Sequence, residues 1–422
     1  MFLLRDRPDC LGWSIKSLII DIKNMIHHRI IFNLCKKTPH RCFTMMMFVL
    51  FMQCVPIKSQ WIMMRSDADS LVQMGATMIY NMEFDAASAL FGKVIDMYPK
   101  HPAGFFLDAM VEWWRIQADR RKKNNDEIFL NKCAKVIVLC DELLAVNPKD
   151  LSALFFKGGS LGFRGRYYAG RESWIKAADD GNVAFKILQQ CQQLAPGNHD
   201  IMLGTGLYNY YASALPEQYP ALKAVMMFLP KGDKNLGIMQ LQAAGRGARY
   251  ASTEAKVSLL QVWYQFEKNA LEALPVAMDL YTRYPKNPYF HRYVGRSQVM
   301  LGQWTELEQT WRSIVNRCIN KHIGYDQQTA REALYYVGLA LMNRKQFDSA
   351  LTYFYKCDQA GRFLDEDVSG FTIKVNMKIG NIYDIQGKRS LAIEQYKKVL
   401  KWDDRQQSHE EAKRYINNPF SF

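Results

Sequence analysis

The residues that could do chemistry in this 422-residue chain are its histidines, its acidic and glycine-rich clusters and its cysteines. Beyond residue 60, His101, His199, His291, His322 and His409 stand far apart. No HExxH or HxxxH pair sets two imidazoles on one helix face, as a zinc site requires. Asp365-Glu366-Asp367 lacks the alternating ligands and central glycine of a calcium loop, and reads as an exposed acidic loop. His199-Asp200, in a loop bearing proline and glycine, reads as solvated surface. Gly158-Gly159-Ser160-Leu161-Gly162, Gly204-Thr205-Gly206 and Gly245-Arg246-Gly247 lack the GxxxxGK[ST] spacing of a phosphate loop, and none follows a predicted strand. Close helix contact is their expected role. Cys133 and Cys140 lie seven apart on one predicted helix, about 10.5 Å along its axis, beyond bridging reach. Cys191, Cys318 and Cys357 are isolated, so buried free thiols are expected. There is no GxSxG elbow. The expectation is no catalytic residue, no metal and no cofactor. An enzyme with its site in residues 200–250 is a third class, which a deep polar pocket with convergent ionisable groups there would favour.

The elements that would position any site are written most clearly between Arg331 and Asp404. Gly338 is followed by Ala350 and Phe354 at offsets of twelve and sixteen, and Gly380 by Ala392 and Tyr396 at the same offsets. Paired antiparallel helices approach closely only where one side chain is minimal, and an aromatic one turn later fills the space beyond. This spacing resembles the tetratricopeptide signature, a helix–turn–helix unit of about 34 residues. Upstream, Gly75, Ala87, Phe91 and Pro99 repeat it. A second hairpin starts near Ala103, carries Trp113 and Trp114, and is interrupted by the charged loop RRKKNND. A third is read as Gly158, Gly170 and Trp174, with a separate helix from about Asn182 to Leu194. Gln261, Ala273, Ala277 and Pro285 mark one further hairpin, and Gly295, Leu307 and Trp311 another. The surplus between the last two copies falls in GRFLDEDV, and a polar helix closes the chain. The expected fold is all-α: a right-handed tetratricopeptide-repeat solenoid with an irregular helical centre. Its parts are a leader (1–59), N-terminal repeats (60–199), an irregular insert (200–250), C-terminal repeats (251–404) and a terminal capping segment (405–422).

The insert carries a second resemblance. Gly206-Leu207-Tyr208-Asn209, Leu215-Pro216-Glu217, Gly232-Asp233-Lys234 with Gly237, and Ala243-Ala244 resemble the tetratricopeptide family that includes the fungal inclusion-body clearance protein and its animal repeat-protein relatives. That resemblance implies a helical-repeat fold, and bacterial relatives of this type commonly carry an export signal. It brings no catalytic residues. Turns are expected at Pro216, Pro220 and Pro230-Lys231-Gly232, with Asp233 capping the next helix. Tyr208, Tyr210, Tyr211 and Tyr219 are expected to pack internally, with lining of a ligand pocket left open.

The formal net charge is +14. Residues 1–59 carry nine Lys/Arg and three Asp/Glu, which leaves about +8 on the body. Lys36, Lys37, His40 and Arg41 precede the apolar run Cys42–Val55, which Pro56 ends. Fourteen apolar residues are too few for a permanent span and suit an export signal, cut near Ser59. Met25 offers an alternative start. No transmembrane helix is expected in the mature chain; the basic run at 120–123 reads as a solvated loop, with contact to an acidic or lipid surface, and so peripheral membrane association, left open.

In a hairpin stack the second, fifth, ninth and twelfth positions of each first helix face the concave groove. These are Glu332, Tyr335, Leu339 and Met342 in the penultimate unit, and Lys374, Met377, Asn381 and Asp384 in the last. The mixture suits an amphipathic or extended peptide. Packing against a neighbouring helix is the other reading of the Tyr and Met positions. The expected function is a non-enzymatic protein-interaction scaffold or adaptor of the bacterial envelope, exported to the periplasm, with a protein or peptide partner and no nucleic acid. The competing class is a cytoplasmic RNA-binding helical repeat, which the basic excess and the aromatics motivate.

Overall fold

A computed structural model of the chain describes residues 66–227 and 229–421. The expected leader, its apolar core at 42–55 and the cut near Ser59 lie outside those residues. Among the described residues every regular element is helical, and no helix is long and apolar enough to cross a membrane.

Successive helices pair into hairpins. They are α1 (Ser66–Tyr80) with α2 (Phe84–Met97), α3 (Pro102–Ala118) with α4 (Asp126–Val146), and α5 (Leu151–Gly170) with α6 (Trp174–Leu194). The segment expected to be irregular is a hairpin too. α7 (His199–Gln218) pairs with α9 (Lys234–Gly247) across a 3-10 turn (Pro220–Leu222) and the short α8 (Lys223–Met226). The pairing is close because glycine stands on both faces: a methyl on Gly237 would lie 2.5 Å from the Tyr210 backbone nitrogen and 2.8 Å from the Gly206 carbonyl oxygen. Pro216 does not turn the chain. It sits in the last turn of α7, where the helix runs on to Gln218. Asp233 caps α9 as expected, its Oδ1 accepting from the Leu236 amide at 3.0 Å.

The stack continues with α10 (Ser252–Gln261), which runs into a π-helical turn (Val262–Phe266), and α11 (Ala270–Arg283). Then come α12 (Pro288–Met300) with α13 (Trp304–Ile319), α14 (Gln327–Asn343) with α15 (Phe347–Leu364), and α16 (Gly370–Ile385) with α17 (Arg389–Val399). The polar α18 (Ser408–Asn417) closes the stack.

The signature residues do what their sizes demand. An added methyl at Gly75 or Gly338 would lie 2.5–2.6 Å from the ring of Phe91 or Phe354, and at Gly295 2.6 Å from the ring of Trp311. The same ring-on-glycine contact joins Gly380 to Tyr396. The tight turn between paired helices also repeats, with one left-handed residue in the middle: Met82, Gly302, Lys345 and Gly387. Glu172 holds that conformation between α5 and α6, with the same backbone bonds around it.

That turn corrects the register of the third hairpin. Trp174 is the first residue of α6, equivalent to Phe84 or Phe347, and not the ring that seats on a glycine. The residue equivalent to Gly338 is therefore Gly165, Ala177 stands at the alanine position, and Gly181 occupies the place of Phe354. The geometry agrees: a methyl on Gly165 would meet the Ala177 carbonyl oxygen at 3.2 Å and the Gly181 amide at 3.4 Å. The separate helix expected at 182–194 is the second half of α6. Of His199-Asp200, expected as solvated surface, His199 is exposed and Asp200 is not. Asp200 is buried, and its carboxylate accepts three backbone N–H groups, from Arg249, Tyr250 and Ala251, at 3.2, 2.8 and 2.7 Å.

The first hairpins curl back onto the middle of the stack. Asn287 Nδ2 donates to the Tyr80 carbonyl at 2.8 Å, Arg249 and Tyr250 both reach Asp69, and Lys286 pairs with Glu83 at 2.6 Å. Ile79, Tyr80 and Trp114 share one core with Leu260, Leu280 and Phe290. The inner face of the first four hairpins is thereby closed into an arc.

Candidate binding chamber

Inside that arc lies a half-open cavity of about 480 Å³, within the roughly 300–1,000 Å³ typical of ligand pockets. Helices α1, α3, α5, α6, α7 and α8 wall it, with α10 and its π turn at one side. Its origin is local sequence. In the corrected register the groove positions of the third hairpin are Gly159, Gly162, Arg166 and Ala169, and all four line the cavity. Gly181, which replaces a ring, lines it too, and a methyl added there would touch nothing within 4 Å. Small residues have removed the volume, and aromatic ones wall the remainder: Trp113, Phe163, Trp174, Phe185, Tyr208 and Tyr211. Tyr208 stacks on Phe185 at 3.8 Å, and its hydroxyl donates to the Pro230 carbonyl at 3.0 Å. Of the four tyrosines in the sequence cluster, Tyr208, Tyr211 and Tyr219 line the chamber, while Tyr210 is core and bonds Glu267.

The charged groups of the lining are few. Glu254 is 8% exposed; the Trp114 indole N–H and the Tyr80 hydroxyl donate to its Oε1 at 2.5 and 3.3 Å. Burial pushes its carboxyl above the usual range, against the opposing charge of Arg166. Arg166 lies over the Trp113 and Phe163 rings at 5.0 and 5.3 Å, with Nη1 4.0 Å from Glu254 Oε2. Arg171 is held by Asp126 at 2.9 and 2.7 Å. Arg120, exposed on the rim, bonds Gln117 and pairs with no carboxylate among the described residues. The segment 200–250 thus contributes to a hollow whose lining is mostly apolar. Burial pushes the Tyr208 hydroxyl up to about 12, and the thiols of Cys133, Cys140, Cys191, Cys318 and Cys357 are free and pushed to about 12 by the same cause.

The eight groove residues expected in the last two hairpins stand in a different setting. Glu332, Tyr335, Met342, Met377 and Asn381 are all buried. Glu332 is 2% exposed and clamped by Arg292 and Arg296, each at 2.5 Å. Burial would raise its carboxyl, but the two guanidiniums prevail and hold it below the usual range. Tyr335 packs on Phe371 at 5.6 Å. The Asn381 side-chain amide lies 3.0 Å from the Tyr396 hydroxyl. The Asp384 carboxylate takes Arg389, the Tyr396 hydroxyl and the Phe420 amide, so the chain's own tail sits on it. Leu339 is half-buried and packed against the core of these hairpins, and Lys374 is exposed. In this region large inner-face side chains meet the next repeat instead of leaving a trough. In the acidic loop Glu366 and Asp367 are exposed as expected, whereas Asp365 is half-buried and pairs with Arg331.

These features define a class: a tetratricopeptide-like stack of helical hairpins. The tetratricopeptide-repeat family matches residues 373–406, which span most of α16, all of α17 and the turn after them. No curated protein matches the chain. Among solved structures it is similar to the Cut9–Hcn1 hetero-tetramer of the APC/C, at 14% identity and a TM-score of 0.49, over 83% of this chain and 56% of that one. The chain therefore spans little more than half of that neighbour. It is also similar to yeast Tom70, at 8% identity, a TM-score of 0.35 and coverage of 85% and 90%. The human IFIT1 dimer with m7Gppp-AAAA follows at 13%, 0.37, and 81% and 70%.

Proposed function

We propose that this chain is a non-enzymatic scaffold or adaptor that grips an apolar segment of a partner protein in the chamber of its first four hairpins. The observation that carries the reading is that three of the third hairpin's four groove positions are small (Gly159, Gly162 and Ala169) and that Gly181 stands in place of a ring, which leaves an aromatic-walled hollow where other hairpins are filled. Curved helical-repeat stacks offer such inner faces to extended or helical partner segments. The place of action is the bacterial envelope, a reading supported by the basic and apolar pattern of residues 36–56 and by the resemblance across Asp200–Pro285 to the inclusion-body clearance family.

The test places a photo-crosslinking amino acid at Tyr219, on the exposed rim, in the full chain in cells, with Gly162→Leu as the chamber-filling control. One partner segment should crosslink, and the filled variant should lose it while staying folded. Unchanged recovery from the filled variant would refute the chamber as the gripping site. An uncut leader together with salt-sensitive RNA retention would move the reading to the cytoplasmic RNA-binding class.

A further inference from the structure

Resting on the scaffold reading, we infer the chemistry of the partner segment: an apolar core flanked by acidic residues, its carboxylates meeting the 119–123 loop at the chamber's rim. Three observations carry this. The carboxylates in the lining, Asp200 and Glu254, are both buried and already accept hydrogen bonds, so the partner meets no exposed negative charge in the lining. Arg120 both lines the chamber and reaches solvent, and its guanidinium is held by a neutral partner, Gln117. It opens the exposed run Arg120-Arg121-Lys122-Lys123, in which Asp119 contacts Arg121 and Lys122 at 3.6 and 3.7 Å while the nearby Asp126 is taken by Arg171. Arg120 stands at the hollow itself, and the other three cations follow it on the same exposed loop.

The loop is held in place and not left to drift. Arg171 donates to the carbonyls of Arg120 and Lys122 while bound to Asp126, which anchors the loop backbone to the end of α5. The basic side chains are therefore presented from a set position, and a partner need not order them from a free coil. Charges at an interface rim act mainly on association rate and salt dependence, and the anchors in the hollow supply the affinity. A strand of nucleic acid would need a basic track along its phosphates, whereas this cluster is confined to one loop.

The experiment uses the full chain and three labelled synthetic peptides sharing the core Trp-Leu-Leu-Phe, flanked by aspartates and glutamates, by glutamines or by lysines. Anisotropy is read at low and high salt. The acidic peptide should bind about tenfold tighter than the neutral one at low salt, and the gap should close at high salt. Arg120→Glu with Arg121→Glu, both on an exposed loop, should reverse the order of the acidic and basic peptides, while Gly162→Leu should weaken all three. Equal binding of the three peptides, or indifference to charge reversal, overturns the inference but leaves the scaffold reading standing. Failure of every peptide to bind removes both. A short oligoadenylate that competes with the acidic peptide in wild type and not in the charge-reversed chain would assign the loop to RNA and overturn the proposal.

Discussion

The third hairpin and the last one are built on the same turn, yet one is hollow and the other filled. At the second, fifth, ninth and twelfth positions the last hairpin has Lys374, Met377, Asn381 and Asp384, and the third has Gly159, Gly162, Arg166 and Ala169. At the ring position the last has Tyr396, seated on Gly380, and the third has Gly181, with open space before it. Side-chain volume therefore decides whether an inner face becomes core or cavity. The lesson is that groove positions alone do not make a groove. They do so where the residues are small and the neighbouring repeats curve away.

The comparison breaks most readily at Glu332. Glu332→Ala would leave Arg292 and Arg296 close together without their carboxylate, one of the larger penalties a single substitution can impose, about 3–5 kcal/mol. Denaturant titration should show that loss, and regional hydrogen exchange should place it in α12–α16 and not around the chamber. If protection falls equally in α5 and α6, the two regions are energetically one body and the contrast fails.

A smaller and sharper test sets two glycines against each other. Gly380→Ala drives a methyl into the Tyr396 ring and should cost about 1–3 kcal/mol. In Gly162→Ala the methyl finds its nearest neighbour, Ala184 Cβ, at an ordinary 3.9 Å, so the better helix propensity of alanine should stabilise by about 0.5–1 kcal/mol. Opposite signs in thermal melts support the filled-versus-hollow distinction. The same sign at both positions contradicts it.

The fold was legible because the Gly–Ala–aromatic spacing repeats and because the caps and prolines punctuate it. The chamber was not, for a definable reason. Gly158 and Gly165 are two helical turns apart on the same face of α5, so spacing alone admits either as the signature glycine, and Trp174 completed the wrong pattern. The polar turn Arg171-Glu172-Ser173 was the signal that settles the register, since Glu172 occupies the left-handed site held by Lys345 and Gly387 elsewhere. The curl of the first hairpin onto Asn287 and Tyr284 depends on contacts between residues some 200 positions apart, which no local pattern encodes. Burial of Tyr335, Met342 and Met377 was the packing alternative to a groove, and only neighbouring helices could choose between them; the burial of Glu332 under two arginines had no signal in the spacing.

The smallest effect is one of pH, and its sign differs between the two regions. Glu332 has a carboxyl held down in the folded chain, so its contribution is complete above the unfolded value of about 4.3 and is lost as pH falls through the lower folded value. Glu254 is raised by burial. Its folded form binds a proton where the unfolded form does not, so between the unfolded and the raised folded value stability increases as pH falls, and it levels off below the unfolded value. Acidification from neutrality toward pH ~5 should thus strengthen exchange protection in α3 and α10, where Trp114 and Glu254 meet, and leave α14 unchanged. Further acidification should weaken α14. Glu254→Gln keeps an acceptor for the Trp114 and Tyr80 donors while abolishing the titration, so the first change should vanish and the second persist. If the gain in α3 and α10 survives that substitution, the proton is going elsewhere, and the buried carboxyl at the chamber wall is not what ties this half of the molecule to pH.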